Sequence, residues 1–600
     1  MSASRREWLR RLAALWPAIV AAQAPPGPTA EQKKALADAQ KDPVLAAMML
    51  EMGRMSELRT LPEVPYYVEL ACDDVHLLSV SATLGAAFAP SVNRARPLRV
   101  QVRVGSPQFD NTNSIYSDYY SGARYDSGQL PVEGNVAHMR MALWLALDRA
   151  YKTAVEGLGR KSAAMRGVSS PDPLADFGPA PVTELVRPAL QPKLDETRWT
   201  AMVKKLSAVY RDYPKVTISL VEFDLSLGTS YLVHSGGTVV RHPDGIAILR
   251  TRAGCQAADG MALYDGGQWV ASDPAKLAAE GGMLAEIRAV AERLTALAAA
   301  PSGENYIGPV LFEPRAAAQI FGEIFGTHVC AARRPVAEPG RNVPFVAGEF
   351  EGRLNTRVLP EWMNVTDDPL IEQWEGRPVA GHYPVDLEGV RPQPVRLVEN
   401  GELKTLLTTR QPCRGVPGTN GRARLPGALG VKTARISNLL VEAQRTAPLA
   451  ELRKRLLEMA AQRQKPYGLL VRKMDFPSAG SLDDLRRLGQ RVARGGGGRA
   501  VSLPLGIYRV YADGREELVR GLRFRGFSTR PFRDIVAASA ERELFNYADN
   551  GAPLALMGAA PYVAGCSVAA PGVLFEELEL EAIEEEFPHP PLVPPPGTAV

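Results

Sequence analysis

The chain reads as α+β, a mixed α/β N-terminal half followed by a β-rich C-terminal half. Three observations predict this. Leu98-Arg-Val-Gln-Val-Arg-Val104 alternates strictly, as a half-buried strand should. Met141, Trp144, Leu147, Tyr151, Ala154 and Leu158 recur at threes and fours, which marks one apolar face of a helix from Val136 to about Met165. Asn400-Gly401 and Asp513-Gly514 each sit between strand-like runs, the signature of tight hairpin turns.

Length and composition bound the rest. At 600 residues the chain exceeds one compact core, so at least two domains are expected. Apolar residues make up 46% and charged residues 23%, ordinary values for globular protein. The net charge of +4 is spread along the chain, which argues against a nucleic-acid partner. The five cysteines, Cys72, Cys255, Cys330, Cys413 and Cys566, are far apart with no CxxC among them. That spacing excludes a disulfide scaffold and a zinc ribbon, while an exported chain could still form one or two disulfides.

From the N-terminus, Arg5, Arg6, Arg10 and Arg11 precede a short apolar run, Leu12 to Ala22, and the small-x-small triplet Ala22-Gln23-Ala24. Residues 1–24 therefore read as a cleaved signal peptide, and the chain as exported to the periplasm or beyond. The apolar run is too short to span a bilayer, so no transmembrane anchor is expected. Ser4-Arg5-Arg6-Glu7-Trp8-Leu9-Arg10 is also similar to the twin-arginine export pattern. An ordinary amphipathic helix is the competing reading.

Residues 25–300 form the predicted N-terminal domain. It opens with a helical stretch, Thr29 to Leu58, interrupted at Pro43. Tyr66–Ala71 and Leu77–Thr83 read as a hairpin pair, and 167–196 as a Pro- and Ser-rich linker. A helix near Glu196–Tyr210 leads to a meander of Val216–Phe223, Ser230–His234, Val239–Arg241 and Ile246–Arg252. Its turns are Ser235-Gly236-Gly237 and Pro243-Asp244-Gly245. A helix from Met283 to Ala299 stops at Pro301 and Gly303.

Residues 301–585 form the second, β-rich domain. Its hairpins are Val395–Glu399 with Leu403–Leu407, and Ile507–Tyr511 with Glu517–Val519. A helix from about Ala447 to Arg463 lies between them. Arg494-Gly-Gly-Gly-Gly-Arg499 lacks the Lys-Ser/Thr of a phosphate loop and reads as a plain loop. An acidic strand, Leu574 to Leu580, precedes a Pro-rich tail, 586–600, expected to be disordered.

Several segments of this half fall in a familiar order. Tyr306-Ile-Gly-Pro-Val-Leu-Phe-Glu-Pro314 gives a strand, after which Pro314 opens a helix reaching His328. Val365-Thr-Asp-Asp-Pro369, Asp386-Leu-Glu-Gly-Val390, Val398-Glu-Asn-Gly-Glu-Leu-Lys404, Gly418-Thr-Asn-Gly-Arg-Ala-Arg424 and Cys566 with the closing strand follow. Together they resemble the TldD/PmbA (TldE) metallopeptidase family over most of 305–582, and more weakly over 60–300.

In active members that resemblance implies HExxxH on the helix after Pro314. Two histidines and a later cysteine hold zinc, and the glutamate acts as general base on the metal-bound water. Here the stretch is Gly322-Glu323-Ile324-Phe325-Gly326-Thr327. Glu323 remains as a relic of the general base. Gly322 and Thr327 occupy the histidine positions, and ungapped reading puts the cysteine position near Met363. No metal is therefore expected. Glu323 then becomes a solvated or salt-bridged helix carboxylate. A rebuilt zinc site from His328, Cys330 and His382 would need the helix to unwind after Gly326. The plainer reading makes His328 a helix-end histidine, Cys330 a buried small hydrophobe and His382 a loop residue. Asp367-Asp368 and Asp386/Glu388 could pair for glycoside hydrolysis, but both are good turn sequences.

The expected function is thus a non-catalytic TldE/PmbA-like subunit that grips peptide beside a zinc-bearing, TldD-like partner. An active metallopeptidase with a rearranged site and a stand-alone binding protein or homo-oligomer are the alternatives.

Overall fold

The computed structural model describes residues 41–58, 61, 63–115, 128–166, 174–337, 340, 348–426, 432–475, 501–549, 563–584 and 586–588. The signal peptide, residues 29–40 of the first helical stretch, residues 167–173 of the linker, the loop at 494–499 and the tail beyond 588 lie outside them.

Helix α1 (Pro43–Gly53) begins at the proline expected to interrupt it. Pro43 sits in the first turn, where its missing N–H is no loss, and the Asp42 carboxylate accepts the Val44 and Leu45 N–H groups. Strand β1 (Pro65–Thr83) then runs unbroken through nineteen residues. The hairpin expected there does not form. Between its supposed arms, Asp74 pairs with Arg94 and Arg96 at 2.9 Å and Ser230 Oγ donates to Asp73 Oδ1 at 2.7 Å. These lateral partners hold the acidic pair inside the strand.

Strands β2 (Ala86–Ala87) and β3 (Ser91–Ala95) fold back on the far half of β1, and β4 (Leu98–Val104) pairs with its near half. β4 is buried at every position, not half-buried. Its alternating arginines serve buried ion pairs: Arg99 meets Asp73, and Arg103 meets Asp110 at 2.7 Å. Helix α2 (Val136–Ala164) packs here through Met139, Leu143, Ala146, Leu147, Tyr151, Ala154 and Leu158. Met141 and Trp144, expected on that face, are 59% and 45% exposed. The stripe from 139 to 143 is equally periodic and wins the core.

Next come β5 (Glu184–Val186), α3 (Glu196–Ala208), β6 (Ile218–His234), β7 (Val239–Gln256), β8 (Ala262–Ala271) and α4 (Glu280–Ala299). The turn at 235–237 forms as expected, with Gly237 at φ +97°. Pro243-Asp244-Gly245 does not turn. It continues β7, in register with Leu227–Thr229 of β6. The eight strands lie in the order β2-β1-β6-β7-β5, with β3 and β4 also on β1 and β8 on β7.

The second sheet is built from β9 (Tyr306–Phe312), β10 (Met363–Asp367), β11 (Val395–Glu399), β12 (Glu402–Leu403), β13 (Asn438–Ala443), β14 (Tyr467–Met474), β15 (Pro504–Tyr511), β16 (Glu516–Val519), β17 (Leu522–Phe524), β18 (Ile535–Asp549) and β19 (Ala564–Ala582). Helices α5 (Pro314–Ile320) and α6 (Leu449–Gln462) cover it. The order is β12-β11-β10-β13-β19-β9-β14-β15-β16, with β17 and β18 also on β19. Both expected hairpins form. Asn400 and Gly401 take φ of +48° and +78°, which suits a two-residue turn, though the returning strand ends at Leu403.

Buried charge pairs join the two halves. Lys473 of β14 lies 2.8 Å from Asp265 of β8 and 3.3 Å from Glu286 of α4. Burial pushes its ammonium down to about 8. Lys432 contacts Glu69 of β1, and Arg315 of α5 meets Glu286 at 2.9 Å.

Within the second half, Asp367 and Arg422 form a pair with no exposed side-chain surface. Arg422 Nε donates to Asp367 Oδ2 at 2.7 Å, and Ser437 gives Asp367 both its N–H and its hydroxyl at 2.7 Å. Arg422→Met would strand that carboxylate. Unfolding in urea should show a loss of about 3–5 kcal/mol. An unchanged midpoint would mean the pair carries no such constraint.

Candidate functional site

The helix after Pro314 is not a regular α-helix where the family motif belongs. α5 runs to Ile320, Phe321–Phe325 forms a π turn, and Gly326–His328 returns to α. Gly326 N–H donates to Phe321 C=O, five residues back. A regular α-helix would set residues five apart about 140° away from each other. A π turn closes i onto i+5, the spacing of the histidines in HExxxH, and such turns gather at functional sites. The unusual backbone is present, while the ligand side chains at those positions are not.

Two glycines let this turn press against its neighbours. A Cβ on Gly322 would stand 3.3 Å from Tyr547 Oη and from Val568 Cγ2. One on Gly326 would stand 3.0 Å from Ile436 Cδ1. Tyr547 of β18 and Cys566 of β19 are directly paired across the sheet, and Val568 shares a strand face with Cys566. The space a first histidine needs is thus taken by the Tyr547 ring. On its other side the turn is locked by aromatics. Phe321 meets Phe532 edge-on at 5.0 Å, and Phe325 meets Phe350 at 5.0 Å.

The remaining expected residues can now be placed. Glu323 is 5% exposed, and its Oε1 accepts the Ser502 N–H at 3.1 Å and hydroxyl at 2.9 Å. It is buried and hydrogen-bonded, not the solvated carboxylate expected. Thr327 faces solvent, and its hydroxyl donates to the Glu323 carbonyl at 2.7 Å. Met363 is buried in β10, two places from β19 in the sheet order. His328 accepts the Glu349 N–H on Nδ1 at 3.2 Å, with Nε2 3.4 Å from the Glu349 carboxylate. Burial lowers the His328 pKa. Cys330 Sγ donates to Gly326 O at 3.2 Å, and burial pushes its thiol up to about 12. His382 Nδ1 lies 3.0 Å from Pro369 O, in a loop.

These side chains do not fit a zinc ion. Gly322 has no donor atom, Tyr547 fills the space above it, and the Thr327 hydroxyl is turned back onto the helix. Among the described residues no three His, Cys, Asp or Glu side chains converge as metal ligands, His328, Cys330 and His382 included. Sequence reasoning missed Tyr547 as the residue that occupies the site. It also left Cys566 without a place there. Burial raises the Cys566 thiol too, which keeps it out of the reactive thiolate form.

The acidic pairs are structural. Asp368 Oδ1 caps a turn by accepting the Leu370 N–H at 2.9 Å. Asp386 Oδ1 accepts the Glu388 and Val390 N–H groups at 2.9 Å, Asp386 Oδ2 accepts Ala423 N–H at 3.0 Å, and Glu388 Oε2 accepts Arg410 N–H at 2.7 Å. Both carboxyls are buried. Burial, and the repulsion of Glu388, push Asp386 up to about 7, and burial raises Glu388 as well.

Residues 304–475 match the PmbA/TldA metallopeptidase C-terminal domain model. Over that stretch the chain is similar to the TldD/PmbA family. A metalloprotease of Archaeoglobus fulgidus is 32% identical over 157 residues, which is 26% of this chain and 32% of that protein. A metalloprotease of Methanothermobacter thermautotrophicus is 39% identical over 62 residues, 10% of this chain and 12% of that protein. The chain thus spans about a third or less of the curated relatives it matches. Among solved structures, TldE from Thermococcus kodakarensis superposes with a TM-score of 0.51 at 13% identity, covering 89% of this chain and 100% of that one. A candidate modulator of DNA gyrase from Thermotoga maritima gives 0.52 at 15%, covering 86% and 96%. Likeness at these identities is one of fold. The chain therefore shares the fold of these two structures across both halves.

Two measurements check the site. Gly322→His should destabilise the protein strongly in the native background and much less when Tyr547→Ala has opened room. Tyr547→Ala alone should cost about 3–5 kcal/mol, as large buried aromatics do. Additive losses in urea unfolding would show that the ring does not fill that space. The second concerns pH. Carboxyls raised in the folded state hold protons that the unfolded chain releases from about pH 4. Their contribution is therefore full below that pH and is lost as pH rises through about 7. Asp386→Asn should cost stability throughout, because its amide NH2 would face the Ala423 N–H, yet flatten the decline between about pH 4 and 7. An undiminished slope in melting temperature would count against the shift.

Proposed function

We propose that this chain is a non-catalytic, TldE/PmbA-like subunit, which supplies scaffold and peptide-binding surface to a zinc-bearing TldD-like partner. The observation that carries this reading is the Tyr547 ring packed onto Gly322, where the motif of active members would place a zinc-binding histidine. Glu323, buried against Ser502, has no metal-bound water to activate.

Peptide would bind along an open backbone edge. Among the described residues one end strand of the eleven-stranded sheet, β16, is paired with β15 alone, whereas the outer side of β12 is taken by the 355–357 backbone. An extended segment adding to such an edge gains main-chain hydrogen bonds in register. The basic and then apolar start of the sequence supports export of the chain, and on that reading the partner would be exported too. No helix of the described residues is long and apolar enough to cross a membrane.

The test is to co-express the chain with an HExxxH-bearing homologue from the same genome. The two should co-purify, and chelator-sensitive peptide cleavage should appear with the pair but not with this chain alone. Cleavage by this chain alone, abolished by chelator and by Glu323→Gln, would overturn the reading.

A further inference from the structure

An open cleft of about 650 Å³ lies beside the C-terminal end of the π-turn helix, lined by Glu349, Arg353, Ser528, Arg530 and Arg533. Its charge is lopsided, with three guanidiniums facing one carboxylate. That carboxylate is already engaged. Glu349 Oε2 accepts the Thr529 N–H at 2.9 Å and hydroxyl at 2.7 Å, and its Oε1 lies 3.4 Å from His328 Nε2. Among the described residues Arg533 has only the exposed Asp534 at 3.3 Å, Arg353 makes no ion pair, and Arg530 makes no direct ion pair, acting on Glu349 only at longer range.

The backbone aims these charges together. Arg530 and Arg533 stand three apart on the 3-10 turn Arg530–Asp534, in which residues i and i+3 eclipse. Phe532 between them is buried against Phe321 and Phe325, and Phe350, just before Arg353, is buried against Phe325. Both arginine-bearing segments are therefore seated on the same aromatic cluster that fixes the π turn. Ser528 Oγ accepts the Arg530 N–H at 3.3 Å, which steadies the loop.

We propose that this cleft binds an oxyanion, either the terminal carboxylate of a peptide or free phosphate, between Arg353, Arg530 and Arg533. Guanidinium forks match carboxylate and phosphate oxygens in pairs, and the cleft is large enough to take a terminal residue with its carboxylate. The peptide source rests on the subunit reading above, whereas the oxyanion chemistry stands without it.

The experiment titrates the full chain by calorimetry with inorganic phosphate, and with one peptide as free acid and as C-terminal amide. The free acid should bind at least about tenfold tighter than the amide, phosphate should compete with it, and Arg353→Gln/Arg530→Gln should abolish the difference. Arg530→Lys keeps the charge and loses the fork, so it should weaken binding even if the double variant folds poorly. Phosphate bound with no peptide would support the cleft and count against the peptide reading. Free acid and amide bound equally, with no phosphate, would leave that reading intact and overturn the cleft. Binding of neither ligand, or equal binding by Arg530→Lys, would overturn it as well.

Discussion

Asp367 is the fixed point around which the second half is arranged. Its carboxylate is sealed from water and held by Arg422 and Ser437, while Arg422 also donates to the carbonyls of Asp367, Gln393 and Asn420. Burying two charges is tolerable only when nearly every donor and acceptor is matched. The four segments that meet here, β10, the lead into β11, the 418–424 turn and the lead into β13, are thereby fixed relative to one another. From them extend Arg424 and Ile436, and these reach Cys566 and Gly326 on the walls of the candidate site.

The halves are interlocked by the same kind of constraint. Asp265, Lys473, Glu286 and Arg315 alternate in sign across the junction between β8, β14, α4 and α5. Glu69 and Lys432 repeat the arrangement elsewhere. Such pairs add less to stability than equal apolar area would, but they punish any wrong register heavily. That suits a scaffold whose helix α5 must be presented to β18 and β19 within a few tenths of an ångström.

Much of this was legible in the sequence. The Asn400-Gly401 and Asp513-Gly514 turns, helices α3, α4 and α6, and the loss of ligand residues at 322 and 327 follow from local chemistry. Local chemistry failed where lateral pairing outweighs turn propensity. Asp73-Asp74 and Pro243-Asp244-Gly245 stay extended because neighbouring strands and arginines hold them. The site was half legible. Glu323 could be found from its motif, but Tyr547 lies more than two hundred residues away and carries no local sign that it will cover Gly322. The π turn was likewise hidden, since residue spacing alone does not distinguish it from a regular helix. Arg530 and Arg533 are two among seventy basic residues until a 3-10 turn aligns them.

The five cysteines carry a consequence for how the molecule could travel. All are free and buried, three of them in strands of the two sheets and two, Cys330 and Cys413, in connecting segments, with none paired to another. Carried across a membrane already folded, the chain would reach an oxidising compartment with its sulfur atoms shielded and nothing to join. Threaded across as an open strand, it would offer five thiols to the oxidants there before the core had closed, and each mismatched bridge would lock in a shape the two sheets cannot accept. If the chain is exported, the order of folding and transport would decide whether those sulfur atoms meet.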